Sequence, residues 1–264
     1  MSIKMIAVDL DETLLKSDKT ISNYTAEILS ICQQHGILVV FATARSESDC
    51  TQHIDAINPD AIISNRGAIV RVGNNIIHRA TIDAETTNKI LRSCLEQPSV
   101  RYICAYTDAG YFFNVPENEH DPTIWGKYNH DMYTDFSQGL QCDAYKITVE
   151  IYDDMTASTI ASSFPAVDVI RFSGESWYSF GNKSISKWEG IKILAAHFSI
   201  DTKDILAFGD DYSDIEMLRG CGIGVAVDNA ISEVKAVADC VCGENDNDGV
   251  AKWIAENVMD IGSF

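Results

Sequence analysis

The stretch that most constrains this chain is residues 4–15, K-M-I-A-V-D-L-D-E-T-L-L. Ile6, Ala7 and Val8 are short and apolar, the composition of a central parallel strand buried on both faces, and the run ends at two acids one residue apart. Asp9 and Asp11 then stand at the carboxyl edge of a parallel sheet, where open α/β folds bind their ligands. In an extended chain residues i and i+2 point the same way, so both carboxylates face one cleft. Two anions so close are costly to hold without a counter-charge, which makes a divalent cation the natural third partner. The same residues also read as a turn, because Asp accepts hydrogen bonds from its backbone neighbours and Thr13 can join it. Residues 9–13 alone leave both readings open.

The following segments supply the sheet. Residues 22–34 carry apolar Ala26, Ile28, Leu29 and Cys32 at helical spacing, with Ser22 as cap and Gly36 as stop. Residues 37–42, I-L-V-V-F-A, form a second buried strand that ends in Thr43, Ala44 and Arg45. Strand, helix and strand in this order predict a right-handed parallel crossover, which brings Thr43 to the same edge as Asp9. A short helix over 46–56 and a strand at A-I-I-S-N, followed by R-G-A-I-V, continue the pattern.

From residue 80 the pattern changes. An amphipathic helix around 84–95, strand-like pieces at 101–106, 111–114 and 144–151, aromatic residues near Trp125 and Tyr133, a helix over 153–163 and a hairpin across the turn S-G-E-S describe an antiparallel sheet with one covered face. An inserted domain of about one hundred residues is expected, with hinges near Thr81 and Ser184. The parallel pattern then resumes with a helix from Lys187 and a buried strand at 205–208 that ends in G-D-D-Y-S-D. Asp210 and Asp214, four apart at the start of a helix, share a face at the end where negative charge is tolerated. G-I-G-V-A-V, A-D-C-V-C and a helix over 250–257 close the chain.

A net charge of −19, with 20 scattered Lys and Arg, argues against a nucleic-acid surface. It does not argue against a small phosphorylated ligand, because a local cation outweighs the global field. The N-terminal residues show no signal-peptide pattern and no stretch approaches the roughly 18 apolar residues of a membrane span, so a cytoplasmic protein without membrane contact is expected. The 8 cysteines fit if reduced, since several lie in apolar periodic patterns, and the C-x-C of Cys240 and Cys242 has no nearby His to make a zinc site.

Three strand ends thus carry Asp9 with Asp11, Thr43, and Asp210 with Asp214, while Lys187 opens a helix in the same half. Together they offer a carboxylate nucleophile, an acid and base two residues away, a hydroxyl and an ammonium for anionic oxygens, and distal carboxylates for a hard metal. This ordered set resembles the haloacid dehalogenase-like hydrolases: D-L-D-E-T-L their first motif, Thr43 the second, Lys187 the third and G-D-D-Y-S-D-I-E-M-L the fourth. The ending G-I-G-V-A-V-D-N-A-I-S-E-V-K-A-V-A-D with N-D-N-D-G-V-A is similar to the Cof-type branch of sugar-phosphate and related phosphatases.

The resemblance implies a Rossmann-like parallel-sheet α/β core over 1–81 and 184–264, with an inserted α+β cap of the C2B type over 82–183. It implies a Mg²⁺-dependent hydrolase of small phosphorylated metabolites, foremost sugar phosphates, that works as a monomer or weak homodimer. Asp9 would be the nucleophile and Asp11 the acid and base. Mg²⁺ would be held by Asp9, the Asp11 carbonyl and Asp210, with Asp214 orienting the ligands. Thr43, Lys187, Ser213 and the backbone near Leu10 and Ala44 would bind phosphoryl oxygens. Departures from the family pattern stand at Glu12 and Ala44, where Gly is usual, and at Arg66 and Ser213, where Asn is usual. Arg45 is placed either against substrate or against a core acid, and Arg66 at the pocket edge. Trp177 and Tyr178 are candidates to stack on a substrate ring, of which strand alternation lets only one face inward. A phosphohexomutase of the same superfamily and a silent binding domain are the alternatives.

Overall fold

A computed structural model describes residues 3–120 and 128–258, which leaves Trp125 outside the described residues. The core strands are β1 (Met5–Val8), β2 (Leu38–Ala42), β3 (Ala61–Ser64), β4 (Ile69–Val72) and β5 (Asn75–Arg79). The antiparallel group is β6 (Val100–Thr107), β7 (Gly110–Phe113), β8 (Lys146–Ile151), β9 (Val167–Arg171) and β10 (Trp177–Asn182). The parallel pattern resumes with β11 (Ile205–Gly209), β12 (Ile223–Ala226) and β13 (Cys240–Val241). The chain divides into two compact units, Met1–Arg79 with Ile185–Phe264, and Ala80–Ser184.

In the first unit an eight-stranded sheet runs β13-β12-β11-β1-β2-β3-β4-β5. β1 lies between β11 and β2, parallel to both, and all four of its residues are buried. Helices on both faces account for that burial: Leu29 and Cys32 of Asn23–Gln34 and Ile191 and Leu194 of Lys187–Phe198 join one core with Ile6, Val40, Phe41 and Phe208. Burial at about 25 cal/mol per Å² of apolar surface is what holds this layer structure together. Ser22 caps the first helix by accepting from Thr25 N at 3.0 Å, and Gly36 follows it at φ +79°.

The parallel expectation needs one correction. The R-G-A-I-V stretch, expected to continue the parallel pattern, leads into β4, which pairs antiparallel with β3, and β5 pairs antiparallel with β4. A hairpin needs only a short turn, and Gly73 supplies one with φ +54°. β5 is mostly exposed, so no apolar alternation announces it.

The second unit is a five-stranded antiparallel sheet in the order β7-β6-β8-β10-β9. The helices Ala84–Leu95 and Asp154–Ser162 cover one face through Ile90, Leu91, Ala157 and Ile160. The other face carries Tyr102, Phe113 and Val115, packed with Tyr106, Tyr111 and Trp177. All eight cysteines are free thiols, as their scattered positions imply. No helix among the described residues is long and apolar enough to cross a membrane.

Candidate active site

The candidate residues of the first unit collect where β1, β2, β3 and β11 end. Asp9 leaves β1 with its N–H donating to Phe208 O of β11 at 3.1 Å, so the sheet ladder itself places the carboxylate. β2 and β3 end together: Thr43 N donates to Ile63 O at 2.8 Å, Arg66 N to Thr43 O at 3.1 Å and Asn65 N to Arg45 O at 2.8 Å. β11 ends at Gly209, where a Cβ would lie 2.4 Å from Asp214 Cβ, so only glycine lets the next turn fold back this tightly.

Lys187 is the hub. Its side chain is 1% exposed, and Nζ donates to Asp9 Oδ1 and Asp214 Oδ1, each at 2.6 Å. Asp214, fully buried, uses its other oxygen to accept from Asp210 N at 3.0 Å and Asp211 N at 3.1 Å. Ser186 caps the lysine's helix by accepting from Glu189 N at 3.2 Å. Gly67, at φ +108°, lies so close that a Cβ there would come within 2.3 Å of Ser186 O. A glycine therefore seats the start of the helix that presents Lys187.

Asp9, Asp210 and Asp214 each offer a carboxylate oxygen within 4.8 Å of the others. Burial, with Asp214 and Asp11 adding to it against Lys187, raises Asp9 to about 7. Burial, then Asp9 and Asp214, raises Asp210 to about 9, and its Oδ1 accepts from Thr13 Oγ1 at 2.7 Å. Burial opposes charge on Lys187 as well, yet Asp214 and Asp9 outweigh it and raise its pKa. Three buried carboxylates around one ammonium are therefore short of positive charge. Hard oxygen donors with a charge deficit suit a divalent cation such as Mg²⁺.

Asp11 departs from this cluster. Its carboxylate accepts a fork from Arg45, Nε to Oδ2 at 2.7 Å and Nη2 to Oδ1 at 2.6 Å. Burial opposes ionisation there, but Arg45 and then Lys19 prevail and hold the pKa below the ordinary carboxylate range. The carboxylates that converge are thus those of Asp9, Asp210 and Asp214. Asp11 was expected to reach a metal through its carbonyl, and its side chain points to the arginine.

The other predicted residues fall as follows. Thr43 is buried, with Oγ1 accepting from Arg45 N at 3.1 Å, and Ala44 beside it is half-buried. Leu10 is buried at the head of the irregular turn Leu10–Leu14, and Ser213 is half-buried between Asp210 and Asp214. Arg66 is buried at φ 63° in the turn after β3. Trp177 and Tyr178 lie in the second unit, on opposite faces of β10 as alternation requires. Tyr178 belongs to the helix-covered core and its hydroxyl donates to Asp154 at 2.5 Å, so as a stacking residue it is corrected. Trp177 packs on the aromatic face. The residues that sequence reasoning passed over are Lys19, Asn229 and Asn245, polar loop residues in no periodic pattern. Thr13 was noted only as a turn former.

The sequence profile of the haloacid dehalogenase-like hydrolases matches residues 6–254. The chain belongs to this family. The stress response protein YhaX of Bacillus subtilis is 28% identical to it over 97% of this chain and 93% of that protein. The 5-amino-6-(5-phospho-D-ribitylamino)uracil phosphatase YitU of the same organism is 26% identical over 96% of each. Among solved structures, the subclass IIB sugar phosphatase BT4131 is 25% identical, with a TM-score of 0.80 over 96% of this chain and 98% of that one. The chain is a phosphatase of this hydrolase family.

Proposed function

We propose that this phosphatase hydrolyses small phosphomonoesters, foremost sugar phosphates, through an aspartyl-phosphate on Asp9 and with Mg²⁺. The observation that carries the reading is the pairing of Asp9 with Lys187 inside a cluster of three carboxylates. Asp9, Asp210 and the Asp11 carbonyl would hold the ion, with Asp214 fixing Lys187 and the 210–211 backbone. Bound there, Mg²⁺ offsets the negative charge shared by phosphate and carboxylates.

An Asp9 oxygen attacks phosphorus, the ester P–O bond breaks, and its electron pair goes to the leaving oxygen, which takes a proton from Asp11. Asp11 then takes a proton from water as the water oxygen attacks phosphorus. The P–O bond to Asp9 breaks, which frees phosphate and restores the carboxylate. Lys187, Thr43, Ser213 and backbone N–H groups near Leu10 and Ala44 hold the phosphoryl oxygens. The Arg45 fork presents Asp11 as an acceptor, which suits the water step. For the first step the fork must open so that one oxygen carries the proton.

The substrate class rests on the relatives, whose names cover a sugar phosphatase and a phosphoribitylamino-uracil phosphatase. A panel of sugar phosphates, nucleotides, flavin mononucleotide, pyridoxal phosphate, a phosphopeptide and an oligonucleotide 5′-phosphate, scored by phosphate release and kcat/KM, tests it. Activity spread over the small esters is expected. Turnover of only the phosphopeptide or the oligonucleotide would refute it.

A further inference from the structure

Beside Asp11 stands a second cation that the steps above do not use. Lys19 Nζ lies 3.3 Å from Asp11 Oδ1, the oxygen that also accepts from Arg45 Nη2, and 2.7 Å from Glu12 Oε1. Glu12 is itself anchored from the far end of the chain. Its carbonyl accepts from Asn229 Nδ2 at 2.6 Å, and its other carboxylate oxygen lies 3.5 Å from Asn245 Nδ2. Asn245 is buried and donates to Leu15 O at 2.9 Å, while its own N–H donates to Asn229 Oδ1 at 3.0 Å. Glu12 at φ 53° and Lys19 at φ 63° both adopt the left-handed backbone that side chains disfavour. Lys19 is held there by a turn in which its N–H donates to Lys16 O at 2.7 Å.

An ion pair whose side chains are 43% and 46% exposed adds little to stability. Its placement is what matters. We infer that Lys19 is a positioning residue for Asp11 and that Glu12 is the anchor that keeps it in place. The inference rests on the assignment of Asp11 as acid and base. Arg45 donates to both Asp11 oxygens, so a proton added to either one meets an N–H of the fork, and proton transfer to the leaving group requires that fork to open. Lys19 then remains at Oδ1 and leaves Oδ2 free for the proton. Because the shorter bond of Lys19 goes to Glu12, the lysine steadies Asp11 without binding it as tightly as the fork does.

Leaving-group dependence tests this, because an alkyl alcohol needs a proton to leave and dinitrophenolate does not. Wild type, K19M, K19R, E12G and D11N are compared on an alkyl phosphate and on 2,4-dinitrophenyl phosphate. Glycine adopts the φ of residue 12 freely, so E12G removes the carboxylate and keeps the turn. K19M is expected to lower kcat/KM for the alkyl ester by about tenfold or more and for the dinitrophenyl ester by no more than about twofold. K19R should restore most of the loss, E12G should show the same selectivity at smaller size, and D11N the same selectivity at larger size. If D11N discriminates between the esters while K19M affects both equally or neither, the positioning role is overturned and the role of Asp11 stands. If D11N itself does not discriminate, the acid assignment fails and the inference with it.

Discussion

Asp9 and Asp210 hold protons that ordinary carboxylates have released by neutral pH, and that sets a pH dependence. Their pKa values in the folded chain, about 7 and about 9, lie above the ordinary 3.8. Between 3.8 and those values the folded state binds protons that the unfolded chain does not, so stability falls as pH rises. The metal-free protein is therefore expected to lose melting temperature from mildly acidic pH up to about pH 9, following Asp9 and then Asp210. Mg²⁺ should remove most of that loss and raise Tm more at pH 9 than at pH 6, because it binds the deprotonated cluster. Scanning calorimetry across this range, with and without Mg²⁺, reads both trends. A metal-induced rise in Tm that is the same at every pH would contradict the charge deficit. At this scale Asp9, Asp11, Thr43, Lys187 and Asp210 were legible, because each ends or begins a periodic apolar segment. The partner of Arg45 was not, since a strand-end arginine between substrate and acid is decided by side-chain geometry. Lys19 was less legible still, because its placement depends on Asn229 and Asn245, more than two hundred residues away in sequence.

At the scale of elements, the site depends on how closely the Lys187–Phe198 helix approaches the end of β3. Gly67 meets Ser186, and Gly190 meets Ile63, where a Cβ would lie 2.6 Å from Ile63 Cγ2. A methyl at Gly67 would clash with backbone and strain a φ of +108°. Gly67→Ala is thus expected to destabilise the chain by at least about 1–3 kcal/mol and to lower kcat by moving Lys187 from its two carboxylates. Urea unfolding and steady-state kinetics check both, and a variant with wild-type stability and kcat would show that the contact is not needed. β1, β2, β3 and β11 were readable because strands buried on both faces are continuously apolar. β4 and β5 were not, since an exposed antiparallel edge carries mixed side chains, and the pairing depends on a turn at Gly73.

At the scale of the molecule, a strongly acidic chain buries Lys187 where it meets Asp9 and Asp214. The switch from parallel to alternating patterns marked an insert in the sequence, and the chain divides at Arg79 and Ile185. A role for any residue of the insert in binding was not legible, because the side chains of a half-covered sheet face show the same alternation whether they bind a ligand or pack on one another. The proposal nevertheless turns on the first unit, where Asp9 would be the nucleophile and its cluster would work with a divalent cation. Hydrolysis of an aryl phosphate by the wild-type chain and by Asp9→Asn, each with Mg²⁺ and with excess chelator, is the direct test. The account predicts turnover only for the wild type with Mg²⁺, and undiminished activity under chelation or in Asp9→Asn would contradict it.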